Sequence, residues 1–309
     1  MIILYCKESD QFINDVINWI DDSYVRIGER ELINISEFNI LENNVFIKVQ
    51  TPFISCTLSD DVSSIWINGG NIYKLQNKLI SQSQKIIFES FVNTKKIKKI
   101  GNFINTTEIN KINFLIEARK HELNIPPSLL TSSKSLLLKF YKKFYSTGGI
   151  ICKRITEDTY YETNNYIYDI IFTFKITNKI LKKIPENFGL SFFQKKLNII
   201  FEVRAIYFNQ EFYSASIHCN EGYEDYRIEI IKKQNNIRII PFNLPKDLEI
   251  KIKSLLSALK LNYASIDLIF DGKDYYILEI NPTGQIDFIN KACNFYLERK
   301  IAKYLSQNE

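Results

Sequence analysis

The stretch DYYILEINPTGQ, Asp274 to Gln285, decides how the rest of this 309-residue sequence is read. Asp274 to Leu278 has the composition of a buried strand, and Pro282 and Gly284 break it. Glu279 and Asn281 stand two residues apart at its end, so a strand presents both on one face. A carboxylate and a carboxamide side by side at the exit of an apolar strand suit a hard cation such as Mg²⁺, which takes oxygen ligands. They also suit a plain strand-end turn, because Asn-Pro with a nearby Gly is an ordinary turn former. The surrounding sequence discriminates between these readings.

Just upstream, YASIDLIF (Tyr263–Phe270) is a second apolar strand, and the turn between the two contains Asp271 and Gly272. A hairpin is expected, with Asp267 facing Glu279 across the ladder. A carboxylate between Ile266 and Leu268 is costly to bury without a purpose. Asp267, Glu279 and Asn281 converging from a hairpin suit a magnesium site, with nucleotide phosphates completing the shell; three unrelated polar residues at strand edges are the alternative. Lys153, in GGIICKRI, is either an exposed-face lysine or a cation aimed at the same phosphates. Glu202 and Arg204 alternate with apolar residues in IIFEVRAIYF and share a face. Glu202 can accept from ribose hydroxyls and Arg204 can fork onto phosphate or carboxylate oxygens; a cross-strand ion pair is the equal alternative. Asp225 and Arg227 repeat the acid-x-Arg spacing with the same ambiguity.

Other chemistries find less support. The sequence has two histidines, His121 and His218, and no motif joins His218 to Cys219 or Cys152 as a nucleophile pair. No phosphate-binding G-x-x-x-x-G-K-[ST] loop and no G-x-G-x-x-G fingerprint occurs. Five cysteines, Cys6, Cys56, Cys152, Cys219 and Cys293, are widely spaced, which argues against a disulfide framework or a zinc site. Each is expected to be a small buried residue in a reducing compartment. The apolar start MIILYC is too short for a signal peptide and reads as a first strand. No stretch approaches a membrane span, so a cytoplasmic protein is expected. Hydrophobic content of 45% and charged content of 24% are those of an ordinary globular protein. Net charge is +5, and the densest basic run, Asn93–Asn102 (NTKKIKKIGN), reads as a solvated helix-ending lysine cluster rather than a nucleic-acid surface.

Along the chain, residues 2–6 are read as a strand and SDQFINDVINWIDD as a helix capped by Ser9, with Phe12, Ile13, Val16, Ile17 and Ile20 on its apolar face. Strands around FIKVQ and SSIWING and a helix from about Ile72 to Val92 follow, an α/β module spanning about the first 100 residues. NKINFLIEARKHEL is a further helix, and the paired prolines of NIPPSLLTSS then force extended chain. The next part is sheet-rich: GGIICKRI, YDIIFTFKI, LSFFQKKL, FEVRAIYFN and EFYSASIHC are short apolar strands. LPKDLEIKIKSLLSALKL is an amphipathic helix with Pro245 in its first turn, and FYLERKIAKYL lies in a final helix.

In this order the pieces resemble the ATP-grasp superfamily. IICKRI is similar to the strand whose lysine contacts nucleotide phosphate, which puts Lys153 there. SFFQKKLN is similar to the adenine hinge, where Gln194, Lys195, Lys196 and Leu197 would line the base largely through backbone. Glu202 falls at the ribose position, and Asp267, Glu279 and Asn281 match the metal ligands. The resemblance implies an α/β (α+β) ATP-grasp fold: an N-terminal α/β domain over 1–110, a central lid domain over 111–190 and a C-terminal antiparallel-sheet domain over 191–309. The tracts SIDLIF and LEINPTGQ look more narrowly like the grasp-with-spasm peptide maturases, relatives of the microviridin-type ligases that make graspetides. Two features depart from the pattern: Arg154 rather than Pro follows the strand lysine, and ITEDTYYETNN contains no Gly. SSIWINGG also lacks the paired arginines associated with relatives.

That narrower resemblance implies ATP and Mg²⁺ as cofactors and a precursor peptide, leader and core, as partner. A carboxyl side chain would be phosphorylated and then attacked by a hydroxyl or amine, closing an ω-ester or ω-amide ring. Arg204 and Arg227 would hold the developing phosphate charge. A homodimer is expected from relatives, and neither nucleic acid nor membrane is expected as a partner. YYETNNYIYDIIFTFK (160–175) is either a leader-binding strand edge or a lid hairpin. Two alternatives stay open: a carboxylate–amine ligase adding amino acids or joining small molecules, and a non-catalytic peptide-binding ATP-grasp fold.

Overall fold

Ile2 to Cys6 form β1, and all five residues are buried, which requires cover on both faces of the sheet they join. The computed structural model describes residues 1–6, 10–28, 34–41, 44–50, 54–68, 78–103, 110–155, 160–162, 167–169, 173–219, 237–284 and 286–307. They fall into two compact units: Met1–Asn105 with Leu261–Ala264 and Pro282–Glu309, and Thr106–Lys260 with Ser265–Asn281.

In the first unit β1 is followed by α1 (Gln11–Ile17), β2 (Tyr24–Ile27), β3 (Asn34–Leu41), β4 (Asn44–Gln50), β5 (Ser55–Leu58), β6 (Ser64–Asn68), α2 (Lys78–Thr94) and β7 (Lys98–Ile100). The main sheet has the order β2-β1-β6-β7 with every pair parallel. β3, β4 and β5 make a separate antiparallel sheet. Alternation assigns the faces. Ile3, Tyr5, Ile65 and Ile67 pack with Phe88, Phe91 and Val92 of α2. On the other face Trp66 meets Phe12 of α1 edge-on at 6.1 Å and Tyr263 at 6.0 Å.

Two details of this unit correct the sequence reading. The cap of α1 is Asp10, whose side chain accepts from the Phe12 N–H; Ser9 lies outside the described residues. The lysine run does not simply end a helix: α2 stops at Thr94, and Lys98 and Lys99 lie on β7.

The second unit begins with α3 (Lys111–Lys120), β8 (Ser128–Ser133), α4 (Lys134–Phe144) and β9 (Ile150–Lys153). β10 (Tyr160–Glu162) and β11 (Ile167–Asp169) form an antiparallel ladder, and β12 (Thr173–Lys175), α5 (Asn178–Lys183) and β13 (Asn187–Lys195) follow. A four-stranded sheet has the order β12-β9-β13-β8. Ile150, Cys152, Phe174 and Phe193 turn one way, into a core with Leu137 and Tyr141 of α4 and Leu181 of α5. The sequence reading does not include α4, although Leu137, Phe140, Tyr141 and Phe144 form a helical apolar stripe directly after the proline-enforced strand.

β14 (Phe201–Phe208), β15 (Glu211–His218), β16 (Arg238–Phe242), α6 (Lys246–Ala258), β17 (Tyr263–Phe270) and β18 (Tyr275–Asn281) complete the pattern. These strands form a five-stranded sheet, β16-β15-β14-β17-β18. Pro245 is the N-cap of α6 rather than part of its first turn, and the helix buries Leu248, Ile252, Leu255 and Leu256. The chain closes with α7 (Asp287–Cys293) and α8 (Leu297–Ser306) in the first unit. None of the five cysteines is in a disulfide. No helix among the described residues is long and apolar enough to cross a membrane.

Candidate active site

The expected hairpin forms, antiparallel, with Asp267 opposite Glu279 and Ser265 opposite Asn281. Its turn is tied by Asp271 Oδ1, which accepts from the Lys273 and Asp274 N–H groups at 2.9 and 2.8 Å. Gly272 supplies the φ of +101° that the reversal needs. A β-bulge lies just past Asp267, where the pairing steps from Asp267–Glu279 to Leu268–Ile277 and leaves Leu278 unmatched. A bulge re-aims the extra side chain. Leu278 accordingly lines the same cleft as Ile269, which shares a face with Asp267.

That cleft lies wholly within the second unit and is lined by Lys153, Gln194, Lys195, Lys196, Leu197 and Glu202. Those six are the residues the sequence singled out for the nucleotide. Alternation explains the convergence. On β9 Ile151 and Lys153 face away from the Cys152 core, and register places Gln194 opposite Ile151 and Thr173 opposite Lys153. Apolar walls come from Ile151, Ile199, Ile269 and Leu278, and sequence reasoning missed all four because nothing local distinguishes them from core.

Internal hydrogen bonds fix the segment from Gln194 to Lys196. Gln194 is buried and donates through Nε2 to Ser128 Oγ at 3.0 Å. The Lys195 N–H donates to Pro127 O at 2.8 Å and the Lys196 N–H to Gly149 O at 3.0 Å. A segment held in this way presents its remaining polar groups without an ordering cost.

Beside the cleft, the Arg204 guanidinium contacts Asp267 Oδ1 at 2.5 Å, with side-chain exposures of 8% and 11%. The ion pair is therefore between Arg204 and the next strand. Lys111, the first residue of α3, stands 3.6 Å from Glu279 Oε2 and also donates to Arg154 O. No sequence signal marked Lys111, because its helix is remote in the chain from the hairpin it serves. Both carboxylates thus face cations, which would compete with a bound metal ion for the same oxygens. Two carboxylates and a carboxamide are all hard oxygen donors, and the set fits Mg²⁺ in chemistry. No group of three His, Cys, Asp or Glu side chains converges among the described residues, so soft-metal chemistry has no support there. Arg227 lies outside the described residues.

Thiol chemistry has no support either. Burial pushes Cys152 up to about 11, which leaves almost no thiolate near neutrality. His218 is pushed below its ordinary value, first by burial and then by the Arg238 charge. Its Nε2 lies 3.1 Å from Ser216 Oγ.

The chain has the ATP-grasp fold. It is similar over its whole length to the macrocyclase MdnC from Microcystis aeruginosa MRC, solved with its precursor peptide MdnA: 19% identity, full coverage of both chains, TM-score 0.77. It is similar to a RiPP-associated ATP-grasp ligase from Chryseobacterium gregarium, solved with ADP and a leader and core peptide. There the identity is 21%, coverage is 98% of this chain and 94% of that one, and the TM-score is 0.75. The ATP-grasp ligase PsnB, complexed with a phosphomimetic variant of its minimal precursor, Mg and ADP, matches at 14% identity, with 98% and 97% coverage and a TM-score of 0.69. No family model matches the sequence, and no curated protein matches it.

Proposed function

We propose that this chain is an ATP- and Mg²⁺-dependent ligase that joins side chains within a ribosomally made precursor peptide, a macrocyclase. One observation carries the reading: a single cleft gathers Lys153 and Gln194–Leu197 from one sheet with Glu202, Ile269 and Leu278 from the other, whose strands β17 and β18 also carry Asp267, Glu279 and Asn281. Solved relatives in complex with leader and core peptides and with ADP support the substrate class.

In this reading the apolar walls and the hinge take the base, Glu202 accepts from the ribose hydroxyls, and Lys153 faces the phosphates. Asp267, Glu279 and Asn281 would hold Mg²⁺, which when bound neutralises phosphate oxygens. A peptide carboxylate oxygen attacks the γ-phosphorus, and the bond to ADP breaks. A Ser or Thr hydroxyl, or a Lys amine, then attacks the acyl carbon of the mixed anhydride. Phosphate leaves with the electron pair, and the nucleophile's proton is released. Each ring therefore removes one water from the peptide and consumes one ATP. Arg204, with Arg227, stabilises the charge that develops on the transferred phosphoryl group.

The test is the intact mass of candidate precursor peptides encoded near the gene after incubation with protein, ATP and magnesium. A loss of roughly 18 Da per ring is expected for condensation through an activated carboxylate. Glu279→Ala should remove it. Addition of an amino-acid mass instead would establish the carboxylate–amine ligase, and no ADP with a cognate precursor would refute catalysis.

A further inference from the structure

Positive charge is not spread evenly along this chain. Residues 134–196 hold 12 Lys and Arg against 5 Asp and Glu, a net +7, whereas the whole chain carries +5. Part of that excess gathers at one corner of the second unit, where α4 ends and the chain turns through Gly148 and Gly149 into β9. The backbone ties this turn down: the Gly149 N–H donates to Phe144 O at 2.9 Å, and Gly149 O accepts from the Lys196 N–H at 3.0 Å. Lysines from three elements surround it. Lys143 Nζ of α4 stands 5.4 Å from the centre of the Phe144 ring, and Lys195 Nζ of β13 stands 6.0 Å from the same ring. Lys175 of β12 brings its Cε within 3.7 Å of the place a Gly149 Cβ would take. Lys142 lies beside Lys143 in the last turn of α4; Lys142, Lys143 and Lys175 are exposed and Lys195 is half-buried.

Lysines in a last helical turn complement the helix dipole, which accounts for Lys142 and Lys143. It does not account for Lys175 and Lys195, which come from strands. In the sheet Lys175 lies opposite Ile151 and Lys195 opposite Ile150, so only β9 separates their backbones, a distance of about 10 Å. Among the described residues none of the four is within ion-pair distance of a carboxylate, although Lys134 at the other end of α4 pairs with Glu186 at 3.8 Å. Asp271 senses the Lys195 charge without pairing with it. Like charges gathered without counter-charges raise the local potential and attract an anionic partner.

The side-chain type narrows the partner. Arginine suits bidentate phosphate recognition and base stacking, whereas an ammonium is a mobile point charge. All four groups are ammonium groups. Two of them also crowd the Phe144 ring, the surface on which a single-stranded nucleic acid would stack a base. Both features favour carboxylates spaced along a flexible chain over a phosphate backbone.

We propose that the corner formed by Lys142, Lys143, Lys175 and Lys195 binds an acidic peptide segment, with carboxylates meeting the ammonium groups. Lys195 also lines the cleft, so a bound segment lies against the cleft rim. That the segment belongs to the precursor rests on the function proposed above, whose chemistry consumes Asp or Glu side chains. The binding itself does not.

Fluorescence anisotropy of labelled hexaglutamate, titrated with the full chain at low salt and without ATP or precursor, reads the binding. Saturable binding that weakens as salt is added is expected, with none for hexaglutamine. Lys143→Gln with Lys175→Gln should weaken it about three- to tenfold, the loss of two partly screened ion pairs. Lys246→Gln with Lys303→Gln removes the same charge from exposed sites on α6 and α8 and should change it less than about twofold. No saturable binding, equal loss in the two double variants, or tighter binding of hexathymidylate or of phosphatidylserine vesicles would each overturn the proposal. In the ring-forming assay the Lys143 and Lys175 double variant should raise the precursor KM severalfold at unchanged kcat. An unchanged KM would separate this surface from the precursor. Absence of ring formation would refute the ligase reading and leave hexaglutamate binding to stand or fall by itself.

Discussion

Removing either partner of the Arg204–Asp267 pair should destabilise the second unit far more than removing both. The contact is 2.5 Å and the side chains are 8% and 11% exposed, so solvent screens little of it. At an effective dielectric constant of about 20 and a charge separation of about 4 Å, the attraction is about 4 kcal/mol. Truncating one member leaves the other charged and buried, which typically costs about 3–5 kcal/mol. Asp267→Ala and Arg204→Met are therefore each expected to lose that much. Replacing both with apolar residues, Arg204→Met with Asp267→Leu, removes the desolvation cost with the attraction and should cost less than either single change. Urea unfolding followed by far-ultraviolet circular dichroism, with equal m values across the set, measures this. If the double variant loses the sum of the single losses, the two charges are independent and the argument is wrong. All three variants should lose ADP formation, so the stability cycle and the activity assay read different properties of the same pair.

At 22% and 31% exposure and 3.6 Å, the Lys111–Glu279 pair is partly screened, so Lys111→Ala should change stability by less than about 1 kcal/mol. The same change removes a competing cation from a proposed metal ligand. It should lower, by about two- to fivefold, the Mg²⁺ concentration that half-saturates ADP formation; an increase would refute that role. Gly101 has φ +75°, and a Cβ there would lie 2.1 Å from the Ile67 carbonyl oxygen. Gly101→Ala should cost at least about 2 kcal/mol in urea unfolding, the left-handed penalty plus a backbone clash, and a neutral result would contradict the geometry. Cys152, at about 11, should resist iodoacetamide at pH 8 in the native protein and react on unfolding, as peptide mass mapping would show. Burial leads the causes that raise Asp10 above 3.8. A carboxyl raised in the fold contributes stability below its unfolded value and loses it as pH climbs through the folded one. Asp10→Asn should therefore gain on the native chain as pH rises from about 4 to 7, and a pH-independent difference would exclude the linkage.

Local alternation made much of the second unit legible. Asp267 and Glu279 could be paired from sequence because a short Asp-Gly turn fixes hairpin register, and the structure pairs them. Lys153 and Gln194 share a cleft for the same reason: period-two patterning puts Cys152 and Phe193 in the core and their neighbours opposite. What escaped depends on chain-distant meetings or on small departures from period. The bulge that aims Leu278 into the cleft has no Gly or Pro to announce it. Lys111 reaches Glu279 from a helix more than a hundred residues upstream. Asn68 and Asp10 read separately as a strand end and a capping residue, and only the crossover of a parallel sheet brings them together.

The same alternation ties folding to chemistry in β14, β17 and β18. Val203 and Ala205 are buried between Glu202, Arg204 and Ile206, and Ile266 and Leu268 flank Asp267, so β14 and β17 are each buried on both faces. A one-residue slip of β17 would turn Asp267 into apolar packing and draw it away from Arg204. The cost of an unpaired buried carboxylate then falls on the slipped register alone. Arg204 and Asp267 are thus expected to select the native pairing while adding little net stability as a pair. The double apolar variant tests this beyond its unfolding energy. Without charges to penalise the slip, backbone amide exchange along β17 should accelerate even where urea stability is retained. Unchanged protection from Ser265 to Phe270 would mean that hydrophobic packing alone fixes the register.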